Sequence, residues 1–357
     1  MSNKTLGVAI VGCGNIATRY AEQIKSYGNT RLTGFFDVVS ERSQGFADTY
    51  GGEAFPSLSA VLEDADTDLV VNLTIHHAHV EVVGKCLDAG KHVHTEKPIA
   101  LDYQDAVGLV ERARAANLRL SSAPITWMGE AQQTAWKLMR DGALGTVRLI
   151  YAEVNHGRIE TWHPNPEPFY QVGPLWDVGI YPTTMLTAFF GPIARVSAHK
   201  AILFPDRETT EGRPFRIDTP DFHLAFLEFA SGHVARLTAN FYAKGSKQGG
   251  SLEFHGDLGR VYLGNFQRFN APVEFAEFGD EYAPVEYLKE PFDGIEFARA
   301  VEELAEAISE DRPQRATGMH AAHVVEVLQG IQTSAEQERP VEITSTFEPP
   351  KPMDWAL

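Results

Sequence analysis

The sequence predicts an α/β chain in two parts: a doubly wound parallel sheet, then an α+β domain on a large open mixed or antiparallel sheet. Three observations carry this. Short apolar runs alternate with helical patterns through Ser122, as in a series of βαβ units. A glycine-rich turn joins the first apolar run to the first helix. Beyond Ser122, long runs with partial alternation follow one another with few helices. At 357 residues the chain exceeds one ordinary domain. The expected division is residues 1–123 and residues 124–357.

The first strand is Val8-Ala9-Ile10-Val11, and Gly12-Cys13-Gly14-Asn15-Ile16-Ala17 follows it. This G-x-G-x-x-A turn is the phosphate-binding corner of a Rossmann sheet. Gly12 allows the tight turn, Gly14 lets backbone approach a pyrophosphate, and Ala17 lets helix and strand pack closely. Ile16, Tyr20, Ile24 and Tyr27 recur at helical spacing until Gly28. Leu32 to Val38 reads as the second strand, with Asp37 near its end, twenty residues after Ala17. A carboxylate there accepts bonds from adenosine ribose hydroxyls. A short helix from Leu58 to Leu62 precedes the buried strand Leu69 to Thr74. Val80, Val83 and Leu87 mark a helix stopped at Gly90, and His92-Val93-His94 is a short strand. The second part opens with a helix from Ala131 to Arg140. The runs Val147–Val154, Val196–Leu203, Phe222–Phe229 and His233–Phe241 follow. Asp257-Leu258-Gly259 turns a hairpin, and Phe297, Val301, Leu304 and Ile308 define an amphipathic helix. The tail from Phe347 is proline-rich and extended, with Trp355 a candidate anchor on a neighbouring subunit.

Composition narrows the classes of function. The net charge of −17 argues against nucleic acid or an anionic membrane as partner. No apolar run approaches the ~20 residues of a membrane span. The residues after Lys4 read as a core strand and not a signal peptide. Two cysteines, Cys13 and Cys86, cannot make a disulfide framework and suit free thiols in a reducing cytoplasm.

Two further motifs carry chemistry. Glu96-Lys97-Pro98 stands at the C-terminal end of a strand, where open α/β sheets bind ligands. Proline pushes Lys97 toward extended geometry. A lysine fixed there beside a cofactor cation has a lowered pKa, as proton transfer requires. The second motif runs from Gly173 through Trp176 and Asp177 to Tyr181 and Pro182. Asp177 and Tyr181 are four apart, so on a helix they share one face. Met185, Leu186 and Phe189 mark that helix as buried, with a carboxylate and a phenol at its N-terminal end. His76, His77, His79, His92 and His94 have spacing for two or three zinc ligands, but nothing completes a closed site, and no metal is expected.

Together these blocks resemble the glucose–fructose oxidoreductase / inositol dehydrogenase / MocA family. The matching residues are strand-GxGxxA, Asp37, Thr74 with His79, Ala89-Gly90-Lys91-His92-Val93 leading to Glu96-Lys97-Pro98, and Asp177-x-Gly-x-Tyr181. The resemblance covers most of the chain. It implies a dehydrogenase using NAD, with NADP less favoured, on a hydroxyl of a monosaccharide, polyol or related carbohydrate. Lys97 is then catalytic and Asp177 lies in the substrate site. The last motif position, often histidine in the family, is Tyr181. That matches the tyrosine-bearing branch and leaves Lys97 and Tyr181 as alternative proton carriers. The cofactor set is Gly12, Gly14, Asn15, Ile16, Asp37, Arg42, Thr74, His77, His79, Glu96 and Lys97. Glu96 is assigned to the nicotinamide ribose.

A segment between a strand and the Asp177 helix holds His156, Arg158, Trp162 and His163, a mixture of forked donors and a flat ring that suits sugars. Trp127 and Trp176 are further candidate walls of the substrate pocket. A lytic variant is the alternative: transient oxidation of a glycoside, elimination, and reduction back on retained NAD. An uncovered, apolar C-terminal sheet face predicts a homodimer or homotetramer through that sheet, as relatives associate.

Overall fold

The computed structural model describes residues 5–357. In chain order, the first stretch gives β1 (Leu6–Val11), α1 (Ala17–Ser26), β2 (Thr30–Phe36), α2 (Ser40–Tyr50), β3 (Glu53–Ala54), α3 (Leu58–Glu63), β4 (Leu69–Asn72), α4 (His79–Asp88), β5 (His92–Thr95), α5 (Tyr103–Ala115) and β6 (Leu120–Ser122). Then come α6 (Glu130–Arg140), β7 (Val147–Asn155), α7 (Glu167–Pro174), a π turn at Leu175–Gly179, α8 (Ile180–Phe190), β8 (Ile193–Ala201), β9 (Asp206–Glu208), β10 (Pro214–Arg216), β11 (Phe222–Phe229), β12 (Val234–Asn240), β13 (Gly250–Gly256), β14 (Gly259–Leu263), β15 (Val273–Glu277) and β16 (Ala283–Pro284). The chain finishes with α9 (Arg299–Ser309), α10 (Gly318–Gln337) and β17 (Val341–Glu342).

Two compact units result, one of residues 1–125 with 296–325, the other of 126–295 with 326–357. A single cut after residue 123 therefore differs from the observed division. The reason lies in α9. Its apolar stripe, Val301, Leu304 and Ala305, packs in one core with Leu6, Ile10, Tyr20, Ile24 and Leu69 of the first unit. Burying those residues beside β1 and α1 stabilises by roughly 1.5–3 kcal/mol for each large side chain.

In the first unit, six strands lie in the order β3-β2-β1-β4-β5-β6, all pairs parallel. This is the doubly wound Rossmann order, and its strand order reverses beside β1, where such sheets bind ligands. β1 is buried along its whole length, as a parallel strand covered on both faces must be. β2 starts two residues before the expected Leu32 and ends at Phe36. Val38, inside the apolar run, is 92 % exposed, because it lies past the strand end.

In the second unit, nine strands form a mixed sheet in the order β16-β15-β14-β13-β7-β12-β11-β8-β17. Only the central β12–β7 pair is parallel. Both strands therefore end at the same edge, where Asn240 Nδ2 donates to Asn155 Oδ1 at 2.6 Å. β11 shows the alternation of a one-sided sheet: Ala225 and Leu227 are buried, whereas Phe226 between them is 51 % exposed. The proline-rich tail turns onto its own chain. Arg140 Nη2 donates to Ala356 O at 2.5 Å, Met353 N donates to Gln133 Oε1 at 3.1 Å, and Lys289 Nζ lies 5.6 Å from the Trp355 ring. Trp355 thus lies beside Lys289 of its own chain. Among the described residues no helix is long and apolar enough to cross a membrane.

Candidate functional site

The glycine turn of the first unit is built as its residues dictate. Gly12 has φ +98°, and a Cβ there would fall 2.7 Å from the backbone of Leu73, so only glycine fits. A Cβ on Gly14 would meet nothing within 4 Å, so backbone is bare on that side. Among the described residues no acceptor in the chain takes the N–H groups of Gly14, Asn15 or Ile16. Those donors and the start of α1 form a cradle for an anion such as a pyrophosphate.

Asp37 closes the cradle. Its Oδ2 accepts the Cys13 N–H at 2.7 Å and its Oδ1 accepts the Val39 N–H at 2.9 Å. Arg42 Nη1 stands 3.7 Å from Oδ1 on an exposed side chain. Burial, with the Asp37 carboxylate beside it, pushes the Cys13 thiol up to about 12, so it stays protonated. The bare glycine backbone, free N–H groups and pinned carboxylate fit a dinucleotide.

Glu96-Lys97-Pro98 follows β5 directly. Glu96 N donates to Asn72 O at 2.9 Å, which ties the ends of β4 and β5 together. Asn72 also accepts the Thr74 hydroxyl at 2.7 Å and donates to Thr95 Oγ1 at 2.9 Å. Glu96 Oε1 accepts the Tyr20 hydroxyl at 2.9 Å, and Oε2 accepts the Lys97 N–H at 3.0 Å. Tyr20 in turn lies 3.4 Å from His94 Nε2, whose Nδ1 is 3.0 Å from Ser121 Oγ. A buried chain thus runs from Ser121 to the carboxylate that positions the lysine backbone. Burial pushes the His94 imidazole down to about 3, which keeps it neutral. Tyr20 has no place among the expected site residues. Its helical spacing reads as plain core, and only the fold reveals its hydroxyl contact.

Among the described residues, the five histidines between 76 and 94 make no group of three that could hold a metal ion. The His76 and His77 rings meet at 4.1 Å with their planes tilted, His94 is in the core, and His92 Nδ1 accepts the Arg119 N–H at 2.9 Å. The His79 ring is 1 % exposed, with Nδ1 2.6 Å from Pro98 O and Nε2 3.0 Å from Thr74 O. It clamps two loops to each other.

In the second unit, Asp177 lies in the π turn and Tyr181 on the first turn of α8, both half-buried. Hydrogen bonds from i to i+5 widen the turn, so the four-residue spacing is not one turn of a regular α-helix as expected. Such turns recur at functional sites. The π turn packs on β12, with Gly179 against Ala239. Met185 and Leu186 are buried, as expected. Trp127 and Trp176 are 1 % and 6 % exposed. Both rings are packed into the second unit.

The His156–His163 segment starts where β7 ends. The His156 ring packs 5.9 Å from Trp162 and 5.8 Å from Phe241. His163 Nδ1 accepts the Asn165 N–H at 3.1 Å, and its ring lies 4.8 Å from Phe169. The segment is anchored by Arg207, whose Nη1 reaches Glu160 Oε1 and the Tyr170 hydroxyl at 2.7 Å each, and whose Nη2 reaches Asp221 Oδ2 at 2.5 Å. The Tyr170 hydroxyl also donates to Glu160. Desolvation and that carboxylate push the Tyr170 phenol up, so it remains a donor. Nothing local in the sequence joins Arg207 to Glu160 or Asp221.

Comparison with known proteins gives the same two parts. The family model described as "Oxidoreductase family, NAD-binding Rossmann fold" matches residues 6–123, and "GFO/IDH/MocA C-terminal domain" matches residues 132–262. The chain is 27% identical over 267 residues to a dTDP-3,4-didehydro-2,6-dideoxy-alpha-D-glucose 3-reductase of Actinomadura kijaniata, covering 72% of this chain and 74% of the relative. It is 24% identical over 264 residues to a myo-inositol 2-dehydrogenase of Thermotoga maritima, covering 72% and 75%. A solved NAD binding oxidoreductase from Klebsiella pneumoniae superposes with TM-score 0.84 at 20% identity, over 95% of this chain and 99% of that one.

Proposed function

Because the chain belongs to the GFO/IDH/MocA oxidoreductase family, we propose that it oxidises a hydroxyl of a monosaccharide, polyol or related carbohydrate with NAD. The observation that carries the reading is a lysine held at the end of β5 by a pinned glutamate, on a sheet whose glycine turn offers bare N–H groups. A nucleotide-sugar reductase and an inositol dehydrogenase among the relatives support a cyclic carbohydrate. In this reading, residues 1–123 hold the cofactor, with α9 completing their core, and the rest of residues 124–357 supply the substrate and association surfaces.

The N–H groups of Gly14, Asn15 and Ile16 hold the pyrophosphate, and Asp37 accepts the adenosine ribose hydroxyls. A 2′-phosphate against Asp37 brings two anions together, which favours NAD over NADP; Arg42 offsets part of this. Thr74 and His77 border the cofactor, and the outer edge of Glu96 faces the nicotinamide ribose. The bound nicotinamide supplies a hydride acceptor. Asp177 orients the substrate hydroxyl, and Tyr181 or Lys97 takes its proton. His156, Arg158, Trp162 and His163 bind the rest of the sugar. The exposed sheet face carries Phe226, Leu149 and Tyr151, with Arg236 over the Tyr151 ring at 4.4 Å. We place a closed-symmetry dimer or tetramer contact there.

A screen of NAD and NADP against free sugars, polyols and glycosides tests the reading. Net NADH from a free sugar or polyol is the expected result. Release of an aglycone without net NADH would replace it with the lytic alternative.

A further inference from the structure

Arg158 follows β7 at the edge where β7 and β12 both end. Its guanidinium carbon lies 4.4 Å from the Phe204 ring centroid and 4.7 Å from that of Tyr242. The two rings form an edge-to-face pair at 6.3 Å. Aromatic rings hold a guanidinium by its apolar faces and leave its fork of N–H donors in the plane. Among the described residues, no carboxylate or carbonyl of the chain takes those donors. Four of the acids on the same segment and around β9 and β10 are already engaged. Glu160 and Asp221 pair with Arg207, Glu167 with Arg213, and Asp206 with Arg216.

A second cation stands beside it. The stem of Lys244 packs over Gly157, where an added Cβ would fall 3.0 Å from Lys244 Cβ. Lys244 is exposed and likewise has no acid partner among the described residues. Two adjacent unspent cations are unusual in a chain with 48 acidic and 31 basic residues. Phe204, Tyr242 and Trp162 leave 37 %, 40 % and 47 % of their surface open around them. The π turn bearing Asp177 packs against the same end of β12. Arginine forks match the paired oxygens of carboxylate and phosphate.

We infer that the substrate is a carbohydrate bearing an anionic group, a carboxylate or a phosphate, which Arg158 receives with Lys244 beside it. The inference rests on the dehydrogenase reading above and names the substrate class for it. The anchoring of the segment by buried Arg207 is what lets Arg158 discriminate, since a mobile cation attracts without fixing orientation.

The test is calorimetric titration of the NADH-loaded enzyme with D-glucuronate, D-galacturonate, D-gluconate, D-glucose 6-phosphate and D-fructose 6-phosphate, each against its neutral counterpart. At least one anionic member binds about 10- to 100-fold tighter than its counterpart, the range for hydrogen bonds to a charged group. Uronates and phosphates separate the two anion sources. Arg158→Ala, checked for an unchanged melting temperature, brings that ratio close to one, and Arg158→Lys restores part of it. Lys244→Ala lowers it less. Neutral sugars binding as well as every anionic one, no binding by any anionic sugar, or equal weakening of both classes in Arg158→Ala would overturn the inference. Turnover followed in parallel separates the two readings. Charge-selective binding with no oxidation of any sugar overturns the dehydrogenase and keeps the anion site. NADH from neutral sugars without charge preference does the reverse.

Discussion

Replacing Arg207 with alanine removes the cation between two buried acids and should destabilise the second unit severely. The Arg207 and Asp221 side chains are 0 % exposed and that of Glu160 is 6 %. Asp221 keeps the Leu203 N–H at 2.6 Å, and Glu160 keeps the Tyr170 hydroxyl, but neither keeps a counter-ion. Breaking a buried pair this way costs about 3–5 kcal/mol. At about 2–4 °C per kcal/mol for a unit of this size, the midpoint falls by about 6–20 °C. Arg216→Ala is the control. Its pair with Asp206 is 66 % and 76 % exposed, so its loss costs less than about 1 kcal/mol. Scanning calorimetry of both variants reads the difference. Kinetics well below the transition should show a raised KM for the sugar and an unchanged KM for NAD, because Arg207 anchors the segment that carries His156 and Arg158. A midpoint no lower than that of Arg216→Ala would refute the reasoning.

Five further outcomes are expected. Asp37→Ser should narrow the preference for NAD over NADP, read as the ratio of kcat/KM for the two; a wild type that prefers NADP sinks the assignment. Lys97→Ala should lower kcat by about 100-fold or more with little change in NAD affinity. Tyr181→Phe should match it if the phenol carries the proton; wild-type turnover in both would remove the site. Between pH 6.5 and about 3 the unfolded chain protonates His94 and the folded chain does not. His94 should therefore draw stability down as pH falls through that window, by at most about 1.4 kcal/mol per pH unit. His94→Asn should flatten the melting temperature against pH between 6 and 4, and an unchanged slope would count against it. Light scattering at micromolar concentration should find a dimer or tetramer, where a monomer would contradict the sheet contact.

The legible parts of this molecule are local. The turn Gly12–Ala17 needs only residues next to each other in sequence to set its φ angles and its helix start, and Asp37 is one βαβ unit away. The large sheet was legible as alternation, because one covered face and one open face impose a period of two. What His79 and Trp127 touch was not legible for one reason. A polar ring or an indole has the same signature whether it faces a ligand or fills the interior, and only the placement of Pro98 O and Thr74 O decides for His79. The helical spacing of Asp177 and Tyr181 presumes 3.6 residues per turn, a value that the π turn changes.

By itself the sequence determined the two sheets, the anion cradle, the lysine at a strand end and the family to which the chain belongs, because each rests on contiguous residues or on a short period. Tertiary structure alone decided which charges remain available. Arg207 is held between Glu160 and Asp221, which lie 47 and 14 residues from it along the chain, in a buried cluster, whereas Arg158, equally basic, comes to rest on Phe204 and Tyr242. It also returned α9 to the first unit, since an apolar stripe carries no label for the face it will cover. Charge pairing and core packing depend on distances in space, and those distances exist only once the chain has folded.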